Sequence, residues 1–410
     1  MFGEPAVKRS LVVYENMRNP TLMKYFYGLK TINKISGDSI EGASPPEIFI
    51  GSFGYPKVYI GPMVPPDFGD TSVLGVPERW VGKSMNEIVE MRSRLVRGMY
   101  RTNVRNVENG RFEDFVKELA LADRHVDSSL SFSKRPELRL VFDDNSQPFG
   151  PSAKMKAMMI EENVHVNKEV ESAHSDMSMG AREAMIELYE KGTLVSAIQK
   201  GLSAGLFGIG KNRKFVPTRW GITAVDDTLG RFLLSSIRSY DQIDSFAIYE
   251  YYALDNRWIV LMMPGAWSYE LVEAWYPNTS WNRDSSDISI YSSYEFFDGR
   301  SKYAEIGGCY YAARLAVSEL LKKEEKQASV VILREAHPGY IMPVGVWNVR
   351  EHVREALKQQ PKTFNTLKKA LDYAETKLDI SVPVWMKNST LLRYNYSQRK
   401  LVVEGSKAMQ

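Results

Sequence analysis

Cysteine is almost absent: of 410 residues only Cys309 carries a thiol. A disulfide within the chain and a cysteine-based zinc cluster are thereby excluded, which fits a reducing compartment. An excess of one charge is lacking too. Lys and Arg number 53 against 50 Asp and Glu, a formal net charge of +3. A nucleic-acid surface must therefore be a local patch of basic residues. No apolar run approaches the roughly 20 residues of a membrane span, and the opening MFGEPAVKRS has no apolar signal-peptide core. HExxH, HxxxH and GxSxG do not occur, so neither a histidine zinc motif nor a serine nucleophile elbow is signalled. These absences predict a cytoplasmic protein without zinc.

What is present is a globular balance, 44% hydrophobic and 25% charged. Residues 1–34 read as an N-terminal arm, 35–380 as a single α+β core, and 381–410 as a tail, irregular from Trp385. The expected fold is a mixed sheet with helices packed around it in one interwoven body. EIFIG and KVYIG look like two strands joined by a Gly-Tyr-Pro turn. Ser84 and Glu87 have capping-box spacing. SFAIYEYYAL and RWIVLMM flank Asp255-Asn256 as a hairpin, and SVVIL, residues 329–333, is a strand. Helices are expected near 223–239, 345–359 and 363–378.

Three constellations could carry chemistry. In VPTRWGITAVDD, Thr223 reads as an N-cap with Asp226 at the capping-box position, a sufficient structural reason for that acid. Arg219 and Trp220 just before it suit an anion and a base stack. In EIGGCYYAAR, Gly307 and Gly308 open a helix where backbone can approach a ligand closely, with Arg314 one turn in; close packing explains the glycines equally. In LREAHPGYIMPVGVWNVRE, the strand end presents Arg334, Glu335 and His337, where α/β proteins place ligands. A Glu and a His there suit acid–base work or a metal. Asp70, Asp143, Asp226, Asp227, Glu295 and Glu335 could also assemble a carboxylate site for Mg²⁺ or Mn²⁺.

ISGDSIEGASPPEIFIGSFGYPKVYIGPM, GDTS, PERWVGKS, VPTRWGITAVDD, GGCYYAARLAV and REAHPGYIMPVGVWNVRE together resemble the Nre family of archaeal DNA repair proteins, in order over residues 35–351. The resemblance implies a role in the DNA-damage response and contact with the PCNA sliding clamp through a short C-terminal motif. Two features depart from the pattern. The cysteine-rich zinc-binding segment that opens many members is not in this sequence. Gln398 and Leu401 have the clamp-motif spacing, but Glu404 and Gly405 stand where an aromatic pair should fill the clamp pocket. Gln410 is an alternative first residue of such a motif.

The resulting expectation is a DNA repair protein binding nucleic acid or nucleotide phosphate, with a metal-dependent phosphoester hydrolase activity. Asp226 and Glu335 would be catalytic; Arg219, Trp220, Thr223, Gly307, Gly308, Arg314 and Arg334 would bind the nucleotide or phosphate. The alternative is a non-catalytic adaptor for DNA and PCNA.

Overall fold

The computed structural model describes residues 37–397, apart from 109, 138–140, 143–146, 162–163, 280, 283–284 and 341, together with residues 12–13. The protein has an α+β fold, and its described residues divide into two compact units. The first comprises 11–229 with 343–347, the second 230–342 with 348–397.

The first unit is built on a six-stranded sheet: β1 (Ser39–Ser44), β2 (Ile48–Ile50), β3 (Lys57–Val64), β4 (Val96–Asn103), β5 (Val126–Phe132) and β6 (Ser152–Ile160), in the order β1-β5-β6-β4-β3-β2. Only β4 and β6 run parallel. EIFIG and KVYIG form the antiparallel β2–β3 pair, Ile50 opposite Ile60. Gly54, at φ +80°, supplies the left-handed residue of the turn between them. β5 alternates buried and half-buried positions along VDSSLSF, the period of a strand with one face in the core.

Helices α1 (Met85–Ser93), α2 (Arg111–Leu121), α3 (Lys168–Ser175), α4 (Ala181–Glu190) and α5 (Val195–Ser203) belong to this unit, as do residues 218–229 of α6 (Thr218–Ile237). The Ser84–Glu87 capping box is formed in both directions. The start of α6 corrects the sequence reading. The helix begins at Thr218, not after Thr223, and the Pro217 carbonyl accepts from the amides of Trp220 (2.8 Å) and Gly221 (2.9 Å). Thr223 is therefore interior, and its hydroxyl donates back to the Arg219 carbonyl at 3.3 Å. Gly221, costly inside a helix, is explained by close packing: a Cβ there would lie 2.4 Å from Ser203 Oγ on α5.

The second unit has a sheet of β7 (Phe246–Ala253), β8 (Asn256–Met263), β9 (Ser268–Trp275), β10 (Ser289–Glu295), β11 (Ser329–Ala336) and β12 (Lys362–Phe364), in the order β10-β9-β11-β8-β7-β12. Its helices are α7 (Gly308–Lys323), α8 (Trp347–Lys358, from 348 on), α9 (Leu367–Glu375) and α10 (Val382–Asn388). β9 and β11 form the one parallel pair of this sheet, and every residue of both is buried. The strand SVVIL runs on three residues to Ala336, because Arg334 and Glu335 continue the pairing with β8 and β9. The hairpin turn falls at Leu254-Asp255, both left-handed, one residue before the expected pair. Asp255 is held there by Tyr252 Oη at 2.6 Å.

As far as residue 397 the stretch from Trp385 is helical rather than irregular, apart from Ser389. Trp385, Leu391 and Leu392 are buried in the core beneath β8, β9 and β11, which fixes α10 and the helical residues 390–397. Glu270 on β9 accepts from Ser389 Oγ (2.6 Å) and from the amides of Thr390 (2.9 Å) and Leu391 (2.8 Å).

His352 on α8 is buried beside the Tyr251 ring. Burial, with the Arg334 charge adding to it, pushes its pKa down to about 3. The unfolded chain takes up this proton first, so stability present above the unfolded pKa near 6.5 is lost as pH falls toward 3. The slope is about 1.4 kcal/mol per pH unit. Between pH 7 and 4.5, wild type should lose about 2–3 kcal/mol more than His352→Gln in urea unfolding. Equal losses in the two proteins would remove His352 from the acid limb.

Candidate nucleic-acid and phosphate site

In the first unit the quoted motifs meet around a small polar cleft lined by Glu47, Gln199, Lys200, Ser203 and Thr218. Strand β2 enters it from SPPEIFIG: Glu47 is followed by Ile48, and the Ile50 amide donates to Thr218 Oγ1 at 2.9 Å. Lys200 Nζ reaches across from α5 to the Pro46 carbonyl at 2.5 Å. Glu78 of PERWVGKS accepts from the Ser196 amide at 2.9 Å. Burial pushes the Glu47 carboxyl up, against the pull of Arg92 and Lys200, and pushes the Lys200 ammonium down, against Glu47 and Glu78. Arg92 Nη2 stands 3.5 Å from Glu47. Both shifts have burial as their largest cause, which disfavours the charged form of each group.

Asp226 lies behind this cleft. It is buried, and Gln199 Nε2 donates to its Oδ1 at 3.0 Å. It is thus an interior helix residue that orients Gln199, not part of a capping box. Arg219 and Trp220 lie in the first turn of α6. Trp220 is 44% exposed and faces Tyr55, 45% exposed, with ring centroids 5.2 Å apart. Phe53 in the same loop is 84% exposed. Exposed Arg101 lies 6.0 Å from the Tyr59 ring centroid. Aromatic faces beside basic side chains are the components of a single-strand platform.

The second unit treats its predicted residues differently. Arg314 on α7 and Arg334 on β11 are each 1% exposed. Arg314 Nη1 donates to Glu295 at 2.8 Å, and Glu295 also accepts from Tyr310 Oη (2.8 Å) and Trp267 Nε1 (3.0 Å). Arg334 donates to Glu273 (2.6 Å) and Asn256 (2.9 Å), with its guanidinium carbon 4.7 Å and 4.8 Å from the Trp258 and Trp275 centroids. Gly307, at φ +73°, precedes α7, and Gly308 is its buried first residue. Arg219 belongs to the first unit, Arg314 and Arg334 to the second.

Glu335 is buried and accepts from the amides of Ile380 (2.8 Å) and Asp379 (3.1 Å), with His337 Nε2 at 3.2 Å. The His337 ring stacks on Tyr276 at 4.4 Å. Glu335, His337 and Asp379 each offer a ligand atom, all within 4.8 Å of one another, a grouping that could hold a divalent ion. Asp379 also pairs with Arg257. Asp143 and Asp144 lie outside the described residues. Sequence reasoning missed Glu47, Lys200 and Tyr55. The signals were a lone carboxylate in an apolar strand entry, a lysine in VSAIQKGLS, and an aromatic in a glycine turn.

The architecture and the motifs that line the cleft define an α+β protein with a charged and aromatic site in its first unit. The chain belongs to the archaeal Nre family. The model described as archaeal Nre, N-terminal, matches residues 16–282, and archaeal Nre, C-terminal, matches 295–403. It is 41% identical over 354 residues to DNA repair protein NreB of Archaeoglobus fulgidus, covering 86% of this chain and 89% of that one. It is 36% identical over 366 residues to DNA repair protein NreA of the same organism (88% and 90%), and 33% identical over 367 residues to DNA repair protein NreA of Haloferax volcanii (87% and 87%). No solved structure matches significantly. Among the described residues no helix is long and apolar enough to cross a membrane.

The Arg334–Glu273 pair gives a direct test of the ionic core. Glu273→Gln leaves a buried guanidinium without its counter-charge and should cost about 3–5 kcal/mol. The double variant Glu273→Leu/Arg334→Met should cost distinctly less, since neither charge is stranded. Equal destabilisation of the two, read by urea unfolding, would mean that packing rather than charge compensation governs this position.

Proposed function

We propose that the chain acts in DNA repair by binding nucleic acid or nucleotide phosphate through its first unit. The Tyr55–Trp220 pair carries this reading: two half-exposed rings 5.2 Å apart at the start of a helix, with arginines at hand. Bases stack on the rings, and Arg219 and Arg101 meet phosphates with their guanidinium forks. Asp226 acts through Gln199, which lines the adjoining cleft. The names of the three relatives support the repair role. On this reading Trp220→Ala and Tyr55→Ala each weaken binding of a 5′-hydroxyl single-stranded oligonucleotide by about 1–3 kcal/mol. Arg219→Ala loses about 1.5–3 kcal/mol and lowers the salt dependence. Melting temperatures should stay near that of wild type. Unchanged anisotropy titrations for all three variants would defeat the proposal.

A second reading is metal-dependent phosphoester hydrolysis, favoured by the Glu335–His337–Asp379 grouping. These residues would hold Mg²⁺ or Mn²⁺, and the ion would supply Lewis acidity toward a phosphoryl oxygen. Mn²⁺ titration followed by electron paramagnetic resonance should then show a bound ion whose Kd rises at least about tenfold in Asp379→Asn, since one of a few oxygen ligands is lost. If wild type binds no Mn²⁺, this reading is withdrawn. As an adaptor, the chain would meet PCNA only weakly, because Glu404 and Gly405 cannot fill an apolar pocket. Those residues, with Gln398, Leu401 and Gln410, lie outside the described part of the chain.

A further inference from the structure

Among the described residues the buried arginines are paired, with one exception. Arg92 meets Glu47 and the Leu74 and Pro148 carbonyls. Arg213 meets the Gly208 and Asp176 carbonyls. Arg314, Arg334 and Arg350 meet Glu295, Glu273 and Glu351. Arg97 on β4 is 8% exposed, yet among the described residues its guanidinium has neither a carboxylate nor a carbonyl partner, and its Nε is buried without an acceptor. Two π faces flank it: its guanidinium carbon is 4.0 Å from the Phe49 centroid and 5.3 Å from that of Phe149. Burial lowers its pKa to about 9, so it remains charged at neutral pH. Burying an unpaired ion is costly, and cation–π contact offsets only part of that cost. The remainder calls for an anion.

The surroundings indicate which anion. Arg101 follows Arg97 on the same face of β4, since side chains alternate along a strand, and Tyr59 and Lys57 of β3 stand opposite Arg101 and Asn103. The loop Gly51-Ser52-Phe53-Gly54 lies over both arginines. A Cβ at Gly51 would be 3.5 Å from Arg97 Nη2, and one at Gly54 would be 3.6 Å from Arg101 Nη2. The amides of Ser52, Phe53 and Gly54 donate to no acceptor among the described residues. Two guanidinium forks beside unused amides match a phosphate oxygen set. Because Arg97 is almost enclosed, it can meet the end of a ligand but not the middle of a passing strand. We propose that Arg97, with Arg101 and the Gly51–Gly54 loop, binds a terminal phosphate, carried either by a DNA end or by a free nucleotide. This rests on the first unit being the nucleic-acid-binding unit, and it names the group recognised there.

The test uses the full chain and single-stranded oligonucleotides of one sequence with a 5′-phosphate, a 3′-phosphate or neither. At least one phosphorylated form should bind tenfold or more tighter than the hydroxyl form, about 1.4 kcal/mol. Arg97→Met should erase that preference while keeping the affinity for the hydroxyl form. In phosphate-free buffer Arg97→Met should be at least as stable as wild type, since a stranded charge is removed. Inorganic phosphate should raise the Tm of wild type but not that of the variant. Should Arg97→Met fail to fold, Arg97→Lys keeps the charge without the fork and should cut the preference below threefold. Competition by deoxyadenosine monophosphate, but not by deoxyadenosine, assigns the free-nucleotide source; a preference that resists this competition assigns the DNA end. Equal affinities for all three oligonucleotides, or a preference and phosphate shift untouched in Arg97→Met, overturn the proposal. Binding of the hydroxyl form that survives Trp220→Ala and Tyr55→Ala, beside an Arg97-dependent phosphate preference, would instead defeat only the stacking reading.

Discussion

The second unit is organised around one buried ion pair. Glu273 and Arg334 are register neighbours on the parallel strands β9 and β11, at the middle of a sheet whose strands there are buried on both faces. Taking both charges out of water is tolerable only with full compensation. The structure provides it through Asn256 on the Nε side and the rings of Trp258, Trp275 and Tyr340 around the guanidinium. The pair constrains strand register: a slip of β9 by one residue would move Glu273 to the opposite face and strand the arginine. Glu295, shared by Arg314, Tyr310 and Trp267, does the same for the edge between β10 and α7.

The first unit uses its charges differently. Around Glu47 the compensation is partial, with Arg92 at 3.5 Å, Lys200 bonded to a carbonyl instead, and the Ser196 and Ser203 hydroxyls left without partners among the described residues. Arg97 is the extreme of the same tendency. Incomplete satisfaction of buried polar groups is rare in native proteins and gathers where ligands bind.

Much of the fold was legible from residue patterns. EIFIG and KVYIG carried strand periodicity around a turn, and Ser84 with Glu87 announced α1. Errors arose where tertiary contacts override local rules. Thr223 resembles a cap, but Pro217 can start the helix earlier, and only the approach of Ser203 explains why Gly221 is tolerated inside it. SVVIL seemed to end at Leu333 because Arg334 and Glu335 are charged; partners on β8, β9 and the 379–380 loop keep them inside. Arg97 could not be identified at all, since an arginine in VRGMYRTN reads as an exposed strand residue unless Phe49 and Phe149 are known to enclose it. Of the motif residues, Trp220 was legible as an exposed aromatic, whereas its partner Tyr55 lies 165 positions away.

Glu270 gives the end of the chain an unexpected status. Three donors from Ser389, Thr390 and Leu391 hold its carboxylate, and Leu391 and Leu392 fill core beneath it. The helical residues 390–397 are thus a keystone, and the packed second unit extends at least to residue 397. Deletion mapping of any C-terminal partner motif must respect that extent. A cut at Lys387 would unmask a buried carboxylate and open the core, so loss of binding in such a fragment would report unfolding rather than a missing docking peptide.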